Sequence, residues 1–131
     1  MDFAKLSVSP NTFTFHLIHP TEGTELEATM TVYGALSDVV KKHQSQVLRQ
    51  LQKREFENSR SRKQNYRTLT EMEQDAIENA IVRIADWHGI EWEGKDLEFT
   101  QENARKLLNA CPWMREQIIE QSENLGNFLA A

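Results

Sequence analysis

The stretch Asp86-Trp87-His88-Gly89-Ile90-Glu91-Trp92-Glu93-Gly94 holds two of the chain's three tryptophans, five residues apart across a glycine. Each tryptophan buries on the order of 200 Å² when it packs, so this corner is pinned to whatever core the chain builds. Upstream, Ile77, Ala80, Ile81, Ile84 and Ala85 recur at helical spacing, which predicts a helix to about Trp87. Gly89 then stands where helices end on a left-handed residue that glycine adopts cheaply. Downstream, Ile90, Trp92, Leu97 and Phe99 alternate about Glu93-Gly94-Lys95-Asp96, the pattern of a short β-excursion. Trp87, Gly89, Trp92, Phe99 and Trp113 are therefore expected to anchor the fold, and a tryptophan facing a partner is the rival role.

The chain has 131 residues, about one domain's worth, with a real but modest core. Its composition hides a separation of charge. Between Lys41 and Arg67 lie nine Lys/Arg and two acids, a balance of +7; the other six basic and eighteen acidic residues leave −12 elsewhere, for a net −5. A basic arm and an acidic body share one chain, as suits a polyanionic ligand or an arm from one copy lying on the body of the next. No run approaches the roughly 18 apolar residues of a membrane span, and Met1-Asp2-Phe3-Ala4-Lys5 lacks the layout of a signal peptide. The expected location is the cytosol, and the single cysteine, Cys111, makes no intrachain disulfide.

Along the chain, Phe13 to Ile18 and Leu26 to Val32 are rich in β-branched and aromatic residues and flank the loop His19-Pro20-Thr21-Glu22-Gly23-Thr24. They predict an N-terminal hairpin with Leu26, Ala28, Met30 and Val32 facing a core. Ser37 is the expected N-cap of a helix from Asp38 with a thin apolar stripe, Val39, Val40, Val47, Leu48, Leu51 and Phe56. Near 58–67 no large aliphatic residue appears, and a mobile loop or frayed helix end is expected. Thr68 with Glu71 and Thr70 with Glu73 offer two overlapping capping boxes for the next helix. Thr100 caps a short helix over Gln101 to Asn109, and Pro112 opens a last one carrying Trp113, Ile118, Ile119, Leu125 and Phe128, with Gly126 permitting a break near its end. The fold class expected is α+β: a mostly α-helical single domain, with a hairpin region over 1–34, a helical region over 37–131, and a short extended Trp-Gly corner between helices.

Little in the chain points to catalysis. His16 and His19 are three apart on a predicted strand and point to opposite faces, so they make a poor metal pair. Cys111 lies in no nucleophile motif and is more simply a small apolar filler. His88, at the predicted helix end, would interact favourably with the helix dipole. Glu91 with Glu93, and Glu116 with Glu120, lack a companion nucleophile or phosphate loop, so solvated faces explain them. No catalytic residue, metal or cofactor is expected. The cations Lys53, Arg54, Arg60, Arg62, Lys63 and Arg67 are the candidate self-association or partner-binding residues. They have few interleaved aromatics, and the acidic body would repel a long polyanion, so a small nucleic-acid-binding or regulatory protein is the alternative to a protein-binding arm.

The pattern Ile84-x-Asp86-Trp87-x-Gly89-Ile90-x-x-x-Gly94-x-x-Leu97-x-Phe99-Thr100-x-Glu102-Asn103 resembles the small tail assembly chaperones of long non-contractile-tailed, lambda-like bacteriophages. The similarity continues through Leu107-Leu108, Trp113-x-x-Glu116-Gln117-Ile118 and Asn127-Phe128-Leu129, covering roughly Ser37 to Leu129. The resemblance implies a non-enzymatic late protein of the host bacterial cytoplasm, absent from the mature virion, that binds the tape-measure protein and keeps it soluble for tail-tube assembly. It further implies a longer frameshifted form that recruits tail-tube protein. A homo-oligomer is expected, with no membrane and no nucleic acid as partner. Complementary charge between arm and body would set the register of self-association.

Overall fold

The computed structural model describes residues 1–130. Two strands, β1 (Phe13–Ile18) and β2 (Glu25–Val32), form the expected N-terminal hairpin. Phe15, Leu17, Met30 and Val32 are buried on one face, while Thr14 and His16 are exposed on the other. Alternation along an antiparallel pair produces this division, since successive side chains leave opposite faces. His16 and His19 diverge: the His16 ring contacts the Leu26 carbonyl at 2.9 Å, and His19 Nδ1 accepts from the amide of Glu22 at 3.1 Å in its own turn.

Helix α1 (Asp38–Arg60) is capped by the Ser37 hydroxyl, which accepts from the Val40 amide. Helix α2 (Leu69–Ile81) is N-capped at Thr68, the first of the two expected positions, its hydroxyl accepting from the Glu71 amide at 3.1 Å, while the Glu71 carboxylate turns to Arg54 instead of closing the box. Then the chain departs from expectation. The helix stops at Ile81, and Ile84–His88 is a strand, β3, paired antiparallel to β2 in a sheet of order β1-β2-β3. The physical cause is a bulge: Thr31 faces Asp86 but Val32 faces Ile84, so Ala85 is the extra residue. A bulge sets two residues against one, and here it turns Ile84 and Trp87, three apart, both into the core. An i,i+3 repeat of buried residues thus continues the helical periodicity of Ile77, Ala80 and Ile81 with no helix beneath it. His88 accordingly ends a strand, exposed beside Asp86, and has no helix dipole to complement.

The β-excursion after the corner is a small hairpin, β4 (Glu91–Trp92) with β5 (Lys95–Asp96). Glu93 and Gly94 both have positive φ, 52° and 80°, as a two-residue type I′ turn requires. Glutamate is a poor occupant of a left-handed position, where asparagine is favoured. Glu93→Asn should therefore raise stability by about 0.5–1 kcal/mol, seen as a higher urea midpoint at constant m. Gly89 also takes positive φ, 75°, although it ends a strand rather than a helix.

Helices α3 (Gln101–Ala110) and α4 (Trp113–Glu123) follow, capped by Thr100 and opened by Pro112 as the sequence predicts, and a 3-10 turn over Leu125–Phe128 replaces the end of the last expected helix. Helices α2, α3 and α4 pack together, and α4 lies across β1 and β2. The core between them comprises Phe15, Leu17, Met30, Val32, Ile77, Ile81, Ile84, Trp87, Leu108, Ile118 and their neighbours. Gln117 on α4 closes the free edge of β1, donating to the Ile18 carbonyl at 2.8 Å and accepting its amide at 2.9 Å. The result is a mixed α+β single domain, about half helix.

Candidate docking surface on the helical arm

Helix α1 is the one long element that the core does not claim. It runs 23 residues, yet only Val40, in its first turn, is buried. Val40, His43, Val47, Leu51, Arg54 and Asn58 recur every three or four positions and are the helix's only residues not fully exposed. This row leans towards α2, because residues at that spacing share a helical face. Between the two helices lies an open groove of about 460 Å³, lined by Val47 and Leu51 and rimmed by polar residues including Gln50, Thr70 and Gln74.

One ion pair spans the groove and a second lies at its edge, between α2 and the segment that leads into it. Arg54 Nη1 lies 2.9 Å from Glu71 Oε2, and Arg67 pairs with Asp75. At the far end, where a mobile loop is expected, α1 continues to Arg60. Asn58 then ties the returning chain, donating to the Asn65 carbonyl at 2.9 Å and accepting the Asn65 amide at 2.7 Å. Arm and second helix form a splayed hairpin held more by polar clasps than by apolar burial.

The six cations singled out from sequence are thereby divided. Arg54 and Arg67 are engaged with α2 of their own chain. Arg62 and Lys63 are exposed in the connecting segment. Lys53 and Arg60 lie on the outer face of α1, the Arg60 guanidinium 4.8 Å over the Phe56 ring. That face also carries Lys42 and Arg49, which the sequence analysis counted in the basic window without singling them out. Lys42, Arg49, Lys53 and Arg60 stand at i, i+7, i+11 and i+18, a spacing that returns to one side of a helix and was readable in the sequence.

A second surface was missed altogether. On α2, Leu69, Met72 and Ala76 are exposed at i, i+3 and i+7, on the N-terminal part of the helix that precedes its buried residues Ile77, Ala80 and Ile81. Leu69 is 73% and Met72 55% exposed, with Tyr66 exposed just before the helix. Single exposed apolar residues are ordinary, but a row at this spacing is the footprint of a helix that lacks a partner.

The tryptophan corner lies inside the domain. Trp87 is 4% exposed, its indole Nε1 donates to the Leu97 carbonyl at 2.7 Å, and its ring meets Phe99 edge to face at 4.9 Å. Trp92 and Trp113 are half-buried against the same core, and the Lys106 ammonium sits 5.2 Å from the Trp92 ring. Burial pushes the pKa of the half-buried Cys111 thiol up, which keeps it protonated. Among the described residues, no group of three or more His, Cys, Asp or Glu side chains is placed to hold a metal ion, and no helix is long and apolar enough to cross a membrane.

Residues 35–131 match the family model described as YdaY prophage protein. The chain belongs to that family. It is accordingly a phage-derived protein, and its family region runs from the foot of α1 to the end of the domain. The N-terminal hairpin lies outside the matched residues, yet it supplies two strands of the sheet, including β2, on which β3 of the YdaY region pairs. No curated protein and no solved structure matches the chain.

One further residue of the YdaY region escaped sequence analysis. Arg83, in the turn between α2 and β3, is 2% exposed. It donates to Ser122 Oγ at 3.0 Å and to the Asn79 carbonyl at 3.2 Å, and pairs with Glu123 at 3.0 Å. Ser122 in turn donates to the Tyr33 carbonyl at 2.7 Å. A lone cation in the apolar run Ile81-Val82-Arg83-Ile84 was the sole signal in the sequence.

Proposed function

We propose that this prophage protein is a non-enzymatic tail assembly chaperone that binds the tape-measure protein in the host cytoplasm and keeps it soluble until tail-tube subunits assemble around it. The observation that carries the reading is the unpartnered apolar row Leu69, Met72 and Ala76 on a helical hairpin standing off the core. A long helical client presents amphipathic helices, and such helices dock by i, i+3, i+7 contacts against a row of this kind. The similarity of the tryptophan corner, Thr100-x-Glu102-Asn103 and Trp113 to lambda-like tail chaperones supports the same function. Tail-tube protein is a second partner on this view, recruited through a longer, frameshifted form. Nucleic-acid binding by the basic arm is less well supported: two of its cations are spent on Glu71 and Asp75.

The test is co-expression with the tape-measure protein of the same prophage. The expected result is that the client, insoluble alone, appears in the soluble fraction and co-purifies with this chain. A Leu69→Asp/Met72→Asp variant, altered at exposed positions where surface substitutions cost little stability, should stay folded and lose the client. A client that stays insoluble with the wild-type chain sinks the proposal. Loss of client by the aspartate variant is read only after its circular dichroism and melting match the wild type.

A further inference from the structure

We propose that the outer face of α1 docks on the β4–β5 tip of a second copy of this chain, joining copies head to tail. The inference rests on the assembly reading above and deepens it by assigning the surfaces of self-association.

Two observations point to each other. The first is the cationic row. Lys42, Arg49, Lys53 and Arg60 are exposed, and among the described residues none pairs with a carboxylate of its own chain. At the rise of an α-helix the row extends over about 27 Å. Asp38 and Glu57 stand four residues from Lys42 and Lys53, yet among the described residues neither pairs with the row, while the inward Arg54 is neutralised by Glu71. A row of like charges on an isolated helix is mildly destabilising, so its retention without a partner has a cost.

The second is the tip. In the β4–β5 pair, Glu91 stands directly opposite Asp96, both exposed, with Glu93 in the turn between them. Like charges directly opposite each other across a strand pair destabilise it. Among the described residues no Lys, Arg or His pairs with either carboxylate, and the one cation of the hairpin, Lys95, is registered with Trp92 instead. This repulsion is relieved by cations brought from outside, and the cationic row of another copy supplies charges of the required sign.

The topology makes the contact head to tail. The segment leading to α1 leaves the sheet beside the Val32–Ile84 pair, whereas the tip follows His88, beyond the Thr29–His88 pair at the other end of β3. Donor and acceptor surfaces are therefore different patches, and a contact between different patches leaves one of each free for the next copy. Such an array is the form that would follow an extended client, although the proposed contact needs no client to form.

Sedimentation velocity of the nuclease-treated full chain tests it. At low salt, about 50 mM, weight-average sedimentation should rise with protein concentration and fall to the monomer value near 500 mM, because exposed charges are screened within a Debye length. Arg49→Glu/Lys53→Glu and Glu91→Lys/Asp96→Lys should each weaken self-association by about tenfold or more. Each swap preserves the local like-charge pair, so neither is expected to alter folding. Mixed in equal amounts, the two variants should associate again, since each supplies the surface the other has lost. The proposal is overturned if the wild type is monomeric at about 100 µM and low salt, if the mixture stays monomeric, or if assembly disappears once nucleic acid is removed. A monomeric wild type that still solubilises the tape-measure protein would remove this inference and leave the chaperone reading standing.

Discussion

Trp87→Ala should destabilise the domain by about 3–5 kcal/mol, the cost of truncating a fully buried tryptophan. The indole is the point at which the corner is fastened. It fills the core opposite Met30 on β2, meets Phe99 at the entrance to α3, and holds the Leu97 carbonyl through Nε1. Removing it opens a cavity bounded by strands on one side and helices on the other, which cannot close by moving a single side chain. Trp87→Phe should cost less, about 1–2 kcal/mol, because most of the apolar area is kept and one hydrogen bond is lost. Urea melts of the three proteins decide the matter: equal m-values with midpoints ordered wild type, Phe, Ala are expected. An alanine variant within about 1 kcal/mol of the wild type would mean that the corner is not part of the core. Where the Trp87→Ala protein remains folded, client binding should survive, since the proposed client row lies on the exposed N-terminal part of α2, before its first buried residue.

What the sequence made legible was what neighbouring residues encode. Ser37, Thr68 and Thr100 each cap the helix that their spacing predicts, because a cap needs only a hydroxyl and the amide three residues on. The hairpin over 13–32 was visible from alternation and from the Pro and Gly of its loop. Strand β3 was not. Its bulge at Ala85 places Ile84 and Trp87 on one side, and a period read from sequence cannot distinguish that arrangement from another helical turn. Only the pairing with β2, more than 50 residues earlier in the chain, fixes the strand. The arm was legible as a net charge but not as two faces: Arg54 finds its partner, Glu71, across a gap that only the tertiary fold closes. Lys42 and Arg49, by contrast, could have been found from spacing alone. The row on α2 was hidden for a related reason, since Met72, Ala76 and Ala80 share one helical stripe and only the tertiary fold shows that the core covers Ala80 and not the other two.

Arg83→Ala should lower stability by about 3 kcal/mol, through the loss of charge-assisted hydrogen bonds and of the packed stem. The side chain joins the end of α2 to α4, while the backbone carbonyl of the same residue holds the segment that precedes α1. Its guanidinium reaches Asn79 on α2 and Ser122 and Glu123 on α4. Its carbonyl accepts the Tyr33 amide at 2.7 Å, and Ser122 receives the Ala35 amide on its own carbonyl at 2.9 Å. Glu123 is half exposed, so Glu123→Gln should cost under about 1 kcal/mol, as exposed ion pairs generally do. The weight falls on Ser122 and Asn79, and Arg83→Met separates the two contributions. It keeps the stem and forfeits the hydrogen bonds, and should recover about half of what alanine loses. This node also sets where the arm begins, because Tyr33 and Ala35 are the last backbone positions fixed before Ser37 caps α1. Loss of Arg83 should therefore accelerate amide exchange at Tyr33 and Ala35 more than at Leu108 or Ile118 deep in the core, a local opening that precedes global unfolding. Uniform acceleration at all four amides would show instead that Arg83 supports the domain as a whole.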